Sequence, residues 1–480
     1  MKFDVIVKNA RIPQGHANET VDTNILIKDE KIAGFIGCID GIDADTVIDA
    51  EGKLVIPGCI DSHTHFMDPG FSHRETVESG TQQAARGGIT TVIDMPCCTV
   101  PSARNLEQFN WKKEYWSEHV HIDFALWGGV TGEDVRLKQL DVVKAQADAG
   151  AVAFKVYMTP SVPTYPRVTD PELVEIAKAV AETGVSMGVH AENFAMCDFY
   201  VNKLKEEGRL DGPAWAEARL ELAEKVAIEL GISISEATGV RYHVVHMSTS
   251  IGAKLIRQGK MRGLDVTSET CPHYLTINAQ DAMTEYHACA KIAPPLRSKK
   301  DNAELWEGLA NGSVDFIATD HAPYNLELEK VGRDIWTAFP GIPGVETMVE
   351  IIVNGYNDGK ITLETMVDIL SKNAAIHYGL YPKKGSMQVG SDADLTIIDL
   401  DKVWTIDKDD ADSYMQNKYT PLQGITLKGR VNKTIVRGNL VYNEGEGILS
   451  KPGFGQWIPR QNTNKLDRKL KFIEYKPTTY

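Results

Sequence analysis

Over the first 55 residues, apolar and polar positions alternate in short runs. These are Phe3-Asp4-Val5-Ile6-Val7, Asn24-Ile25-Leu26-Ile27 and Thr46-Val47-Ile48, with turn residues such as Asp29-Glu30-Lys31 between them. Period-two alternation broken by turns predicts a small antiparallel unit. The texture returns late in the chain, in Ala393-Asp394-Leu395-Thr396-Ile397-Ile398 and in residues 434–441. Strand-rich ends around a different middle predict one discontinuous β-sandwich built from both ends.

Between them, short apolar runs alternate with helical patterns, the signature of a parallel sheet. Eight runs read as strands: 58–65, 90–95, 122–127, 151–157, 186–190, 242–246, 264–270 and 314–319. Helical stretches fall at 103–118, 133–149, 171–184 and 301–310. Residues 213–230 open with Pro213 and carry Trp215, Leu220, Leu222 and Val226 as an apolar face. Eight strand–helix units over about 270 residues predict an α/β fold of the (β/α)8 barrel type. A doubly wound open sheet is the alternative, but no Gly-x-Gly-x-x-Gly follows the first strand. The expected division is 1–55 and 385–445 for the sandwich, 56–384 for the barrel and 446–480 for a tail. The last 30 residues hold seven Lys or Arg against two acids. That end reads either as an arm on a neighbouring subunit or as a frayed terminus.

Composition narrows the class without naming the chemistry. Hydrophobic residues are 42% and charged residues 24% of 480, which excludes a disordered or fibrous chain. A net charge of −15 gives no support to nucleic-acid binding. No apolar run of membrane-spanning length occurs, and the start lacks a signal-peptide pattern. Seven cysteines without zinc-knuckle spacing predict reduced thiols and a cytoplasmic protein. The thirteen histidines are more informative.

In barrel enzymes the working residues sit at the C-terminal ends of the strands. Here the first strand ends in His63-Thr64-His65, the fourth holds Lys155, the fifth ends in His190, the sixth in His246 and the eighth in Asp320. His63 and His65, two apart on a strand, point to one side and can bind one metal; taken alone they read equally as structural histidines. Lys155 lies in the apolar run Ala153-Phe154-Lys155-Val156-Tyr157, where burial favours the neutral amine. A neutral amine can take up carbon dioxide to form a carbamate with two anionic oxygens; the bland reading is a salt-bridged lysine. His190 and His246 each close an apolar strand, and His243 is expected to be structural. Asp320 suits acid–base work beside a Lewis acid, or simply caps a helix.

The set Asp61-Ser62-His63-Thr64-His65, Lys155, His190, His246 and Asp320 resembles the amidohydrolase superfamily, in its cyclic amidohydrolase branch. That branch contains dihydroorotases, hydantoinases (dihydropyrimidinases) and allantoinases. The resemblance runs from Phe3 to about Tyr442. It implies a barrel with a composite sandwich and two divalent metal ions, usually zinc, bridged by carboxylated Lys155 (N6-carboxylysine) and a hydroxide. By position, His63, His65, Lys155 and Asp320 would hold the more buried ion, and Lys155, His190 and His246 the more exposed one. The hydroxide would attack a ring amide carbonyl and Asp320 would shuttle the proton. A homotetramer or dimer is also implied. Some relatives of hydantoinases are non-catalytic scaffolds lacking metal ligands; every ligand type is present here, which favours an enzyme.

The substrate ring is addressed by departures from the pattern. Dihydroorotases place an arginine where this chain has Met67 and an asparagine after Met95-Pro96, where it has Cys97-Cys98. Losing both disfavours an anionic substrate, with Arg74 and Arg297 as the remaining candidate cations; Thr319-Asp320-His321-Ala322-Pro323 nonetheless resembles a dihydroorotase stretch. Hydantoinases carry a tyrosine five residues beyond the lysine, where Pro160 stands, and Tyr157 is out of register with it. Allantoinases resemble more of the chain, including Asp68-Pro69-Gly70-Phe71-Ser72-His73, Ser268 to Tyr274 and Ala290 to Arg297, with one departure at Arg74-Glu75-Thr76. The expected reaction is therefore opening of a neutral cyclic ureide, with allantoin first, a hydantoin or other cyclic amide second and dihydroorotate third. Candidate substrate contacts are Met67, Cys97, Ser268, His273, Ala293, His321 and Pro343, with residues 159–167 as a lid.

Overall fold

The computed structural model describes residues 2–462 and residue 466. Eight parallel strands line the barrel: β1 (Cys59–Thr64), β2 (Ile89–Asp94), β3 (Asp123–Leu126), β4 (Ala153–Tyr157), β5 (Ser186–His190), β6 (Arg241–Val244), β7 (Val266–Thr270) and β8 (Phe316–Ile317). Pairing is continuous from β1 to β3 and from β4 to β8. The two arcs join where Gly128 and Gly129, just past β3, pair with Phe154 and Lys155, and where Thr64 bridges His321 just past β8. Every residue of the eight strands is buried. Strands covered on both faces lose the polar alternation of half-exposed ones, hence the unbroken apolar runs.

The surrounding helices start where the chain offers caps. Thr169 and Glu172 form a capping box before Asp170–Ala181, and Ser298 and Asp301 do so before Lys299–Asn311. Two expected helices are each broken in two. The stretch 133–149 splits into Gly132–Arg136 and Asp141–Asp148, with Lys138 at φ 58° between them. The stretch 213–230 splits into Pro213–Ala218 and Glu221–Thr238. The break lies at Arg219, whose guanidinium turns inward to pair with Glu192. The buried face of the second piece is Ala223, Ala227, Ile228 and Ile232; Leu222 is exposed.

Both chain ends build one nine-stranded sheet. From the N-terminal side come Lys2–Pro13, Thr20–Lys28, Lys31–Ile36, Asp43–Asp49 and Leu54–Pro57; from the other, Leu395–Thr405, Thr426–Val436, Asn439–Asn443 and Gly447–Ile448. They meet where Leu54–Pro57 runs antiparallel to Leu395–Thr405. Val7, Ile25, Ile48, Val55, Leu395 and Ile435 share one apolar core, so neither end could bury its strands alone. The turn at Asp29-Glu30, both at positive φ, leads into a strand that the sequence pattern did not reveal.

Lys384 joins sheet and barrel. Its buried Nζ lies 2.5 Å from Asp123 on β3, 2.7 Å from Asp394 and 3.0 Å from Asp392, and Arg437 pairs with the same Asp123. The start of the expected tail packs on the barrel: Phe124 donates to the Gln456 carbonyl at 3.0 Å and accepts from the Ile458 amide at 2.8 Å. The rest of the tail, 463–465 and 467–480, with its proposed subunit contact, lies outside the described residues. Among the described residues no helix is long and apolar enough to cross a membrane.

Candidate active site

The strand ends bring the six expected residues together. Asp320 Oδ1 lies 3.2 Å from His63 Nε2 and 3.1 Å from His65 Nε2. Lys155 Nζ approaches His63 Nε2 at 3.4 Å. Beside them, His190 Nδ1 faces His246 Nε2 at 3.0 Å. Asp320 and His246 both sit at positive φ, 49° and 39°. That is sparsely populated backbone for a non-glycine residue, held here by the strand-to-loop bends that aim the side chains inward.

Carboxylates behind the histidines set their orientation. Glu269 on β7 takes His63 Nδ1 at 2.5 Å, leaving Nε2 toward the centre. Glu192 takes His190 Nε2 at 2.6 Å, leaving Nδ1 inward, and is itself gripped by Arg219. Acid-backed imidazoles with one nitrogen free are the usual form of a metal-ligating histidine. The sequence reading missed both acids. Alternation along β7 would have pointed to Glu269, since it faces inward while its neighbour faces out.

Burial dominates the protonation states at this centre. Burial, aided by neighbouring Lys155, holds the His63 and His246 imidazoles well below their usual range, in the neutral ligating state. Burial likewise lowers the Lys155 amine, and among the described residues no ion pair holds it. His65 differs: burial opposes its charge, but Cys97 and Asp320 raise it to about 10. His246 Nδ1 is buried without a protein partner. The donor atoms of His63, His65 and Asp320 lie within 4.8 Å of one another and could hold a metal ion. This convergence of lone pairs fits a divalent cation.

The centre opens into a cavity of about 330 Å³. Phe71, Trp215, Tyr324, Phe339, Val162 and Pro160 give it largely apolar walls, and residues 160–164 of the expected lid lie along it. Its two arginines, Arg74 and Arg219, are neutralised, Arg219 by Glu192; Arg297, the other candidate cation, lies outside the wall. Arg74 makes a two-pronged pair with Glu329, Nε at 3.0 Å and Nη2 at 2.6 Å, and its guanidinium lies 4.3 Å from the Phe71 ring centre. Arg297 is buried against Ser248 and Glu224. Tyr157, judged out of register from the sequence, sits at the centre: its ring is 4.7 Å from Lys155 Nζ and its hydroxyl 3.0 Å from Cys97 Sγ.

The expected substrate contacts divide. Ala293 lines the cavity, and Cys97 lies beneath it, with Sγ 3.5 Å from His65 Nδ1. His273 is buried with a partnerless Nε2, and burial lowers its pKa to about 4. Met67 is buried under Arg74, outside the wall. Ser268 turns away from the barrel axis, its amide bonded to Asp315. His321 is spent on structure, with Nε2 on Glu75 at 2.7 Å and Nδ1 accepting from the Gly344 amide at 3.1 Å. Pro343 is buried beyond the wall, which Pro340 forms instead. His243, expected to be structural, meets Thr267 and Glu269 inside the barrel, below the centre.

Residues 54–441 match the family model described as "Amidohydrolase family". The chain is 38% identical over 465 residues to the L-hydantoinase of Paenarthrobacter aurescens, covering 96% of this chain and 99% of that one. It is 34% identical over 462 residues to the allantoinase of Rubrobacter xylanophilus, covering 96% and 98%. The solved L-hydantoinase (dihydropyrimidinase) from Arthrobacter aurescens superposes with a TM-score of 0.90 at 36% identity, over 95% of this chain and 100% of that one. With a closed barrel, a sheet from both ends and strand-end histidines already in place, the chain belongs to the amidohydrolase family.

Proposed function

We propose that the protein hydrolyses the ring amide of a neutral cyclic ureide, and that its preferred substrate is a hydantoin carrying an apolar substituent. The observation that carries this choice is the cavity wall. Aromatic and aliphatic side chains face the centre, and the wall arginines Arg74 and Arg219 already carry Glu329 and Glu192 as partners. A substrate carboxylate would enter without a free cation, which disfavours dihydroorotate. The polar ureido arm of allantoin would meet few hydrogen-bonding groups there. Allantoin, the first expectation from the sequence, becomes the second reading, supported by relatives named allantoinase that match nearly the whole chain.

His63, His65, Lys155 and Asp320 would hold one divalent ion, and Lys155, His190 and His246 a second, with Lys155 as its carbamate. Ions bound there supply Lewis-acid polarisation and a more acidic water. Glu269 and Glu192 fix the imidazole orientations. The Tyr157 hydroxyl is placed to donate to the ring carbonyl as negative charge develops on it. Asp320, at the cavity floor, takes the water proton on Oδ and returns it to the departing ring nitrogen. The lid residues 160–164 and the aromatic wall exclude bulk water, which strengthens each of these interactions.

The test is metal analysis of the pure protein followed by initial rates on 5-benzylhydantoin, hydantoin, allantoin, dihydrouracil and dihydroorotate. The expected order places 5-benzylhydantoin first and dihydroorotate last. Allantoin ahead of 5-benzylhydantoin would establish the second reading, and no ring opening in a metal-loaded sample would remove both.

A further inference from the structure

Two thiols lie just behind the catalytic centre and take no part in the ring-opening chemistry. Cys97 Sγ and Cys98 Sγ are 3.6 Å apart, and Cys97 Sγ is 3.5 Å from His65 Nδ1. All three donor atoms lie within 4.8 Å of one another. Zinc–sulfur bonds of about 2.3 Å and zinc–nitrogen bonds of about 2.0–2.1 Å, set at tetrahedral angles, put neighbouring donors about 3.6–3.8 Å apart. The observed sulfur–sulfur and sulfur–nitrogen spacings match those two edges. The Tyr157 hydroxyl lies 3.0 Å from Cys97 Sγ. Cys98, His65 and Tyr157 also line the cavity, so an ion has a route in.

We propose that Cys97, Cys98 and His65 Nδ1 form a separate thiolate-rich site for a soft divalent ion of the zinc–cadmium class, and that filling it inhibits the enzyme. Thiolate sulfur selects soft ions over the hard ones that suit carboxylates. Binding replaces the two S–H bonds by two sulfur–metal bonds and the N–H at His65 Nδ1 by a nitrogen–metal bond; the two thiol protons go to solvent and the ring proton moves to Nε2, and nothing is oxidised or reduced. Inhibition follows from the shared imidazole. His65 uses Nε2 toward Asp320 and Nδ1 toward the thiols, so an ion on Nδ1 draws the ring from its other task. The inhibitory half rests on the proposed hydrolase activity; the binding half does not.

The experiment titrates cadmium into the metal-loaded protein. It follows the ultraviolet thiolate-to-cadmium absorption, bound cadmium by equilibrium dialysis and ring opening of the substrate found above. The wild type should gain the absorption together with one further bound equivalent, and activity should fall in step. In C97S/C98S both the absorption and that equivalent should be lost, with each rate compared with the variant's own cadmium-free rate. C98S alone, at the cavity edge, serves if the double variant does not fold, and should lose the absorption in part. Absorption and bound cadmium unchanged in a folded variant would overturn the site. So would their absence from wild-type protein whose cysteines are shown to be reduced. Binding without inhibition would overturn only the inhibitory role, and absence of ring opening in cadmium-free protein would count against the proposed function alone.

Discussion

Glu269 bears on His63 more directly than any other side chain in the site. Its Oε1 takes His63 Nδ1, its Oε2 accepts from Ser62 Oγ at 3.2 Å, and it is fully buried. Replacing it with glutamine keeps the volume and removes the charge that fixes the ring. E269Q should therefore lower metal affinity or turnover by about 10–100-fold, read by metal content after dialysis and by initial rate. An unchanged variant would deny Glu269 that orienting role. His63, His65, Lys155, His190, His246 and Asp320 were legible as one cluster because metal-ligating types stand at or near the C-terminal ends of five of the eight strands. Ser268 and Pro343 were misplaced for want of a face: strand alternation aims Glu269, not Ser268, at the axis. Tyr157 was passed over because it was compared with a position five residues beyond the lysine, whereas two residues along a strand point to the same side.

Among the elements, the eight strands were readable because burial on both faces leaves apolar runs with little competing pattern. The broken helices were not, because tertiary contacts overrode local propensity. The Arg219–Glu192 pair stops the stretch 213–230 midway, and no local signal announces a partner 27 positions back in sequence. The short segment Leu326–Lys330 has a comparable hidden role, carrying Glu329 to Arg74 across 255 positions. Both side chains are nearly buried. E329Q strips Arg74 of its countercharge and should cost about 3–5 kcal/mol of stability, measured by denaturant unfolding. The same variant should raise the rate on dihydroorotate relative to hydantoin, since it leaves a cation on the wall. A fall in stability without that shift would place Arg74 outside the substrate's reach.

At the scale of the whole molecule, the composite sheet and the barrel meet at Lys384. Burial works against its charge, but Asp123, Asp394 and Asp392 hold the ammonium above its ordinary 10.5. Its contribution is thus complete below pH 10.5 and is lost as pH rises through the higher folded value. Asp392 runs the other way: burial raises it, Lys384 more than offsets this, and its contribution fades as pH falls below 3.8. K384M should unfold about 3–5 kcal/mol more easily near neutrality, with its deficit against wild type narrowing toward both pH extremes. A deficit independent of pH would mean that packing, not charge, holds the junction. The shared sheet was foreseeable from strand texture at both ends, but Lys384 was not, because its three acids approach from two separate parts of the chain.

In the proposed function, Lys155 as its carbamate would help hold both divalent ions, which would supply the Lewis acidity for opening a cyclic amide ring. Metal content and ring-opening rate, measured together on wild type and K155A, test it most directly. Two ions per wild-type chain, with both the second ion and activity lost in folded K155A, is the predicted result. Folded K155A that keeps two ions and full activity would contradict it.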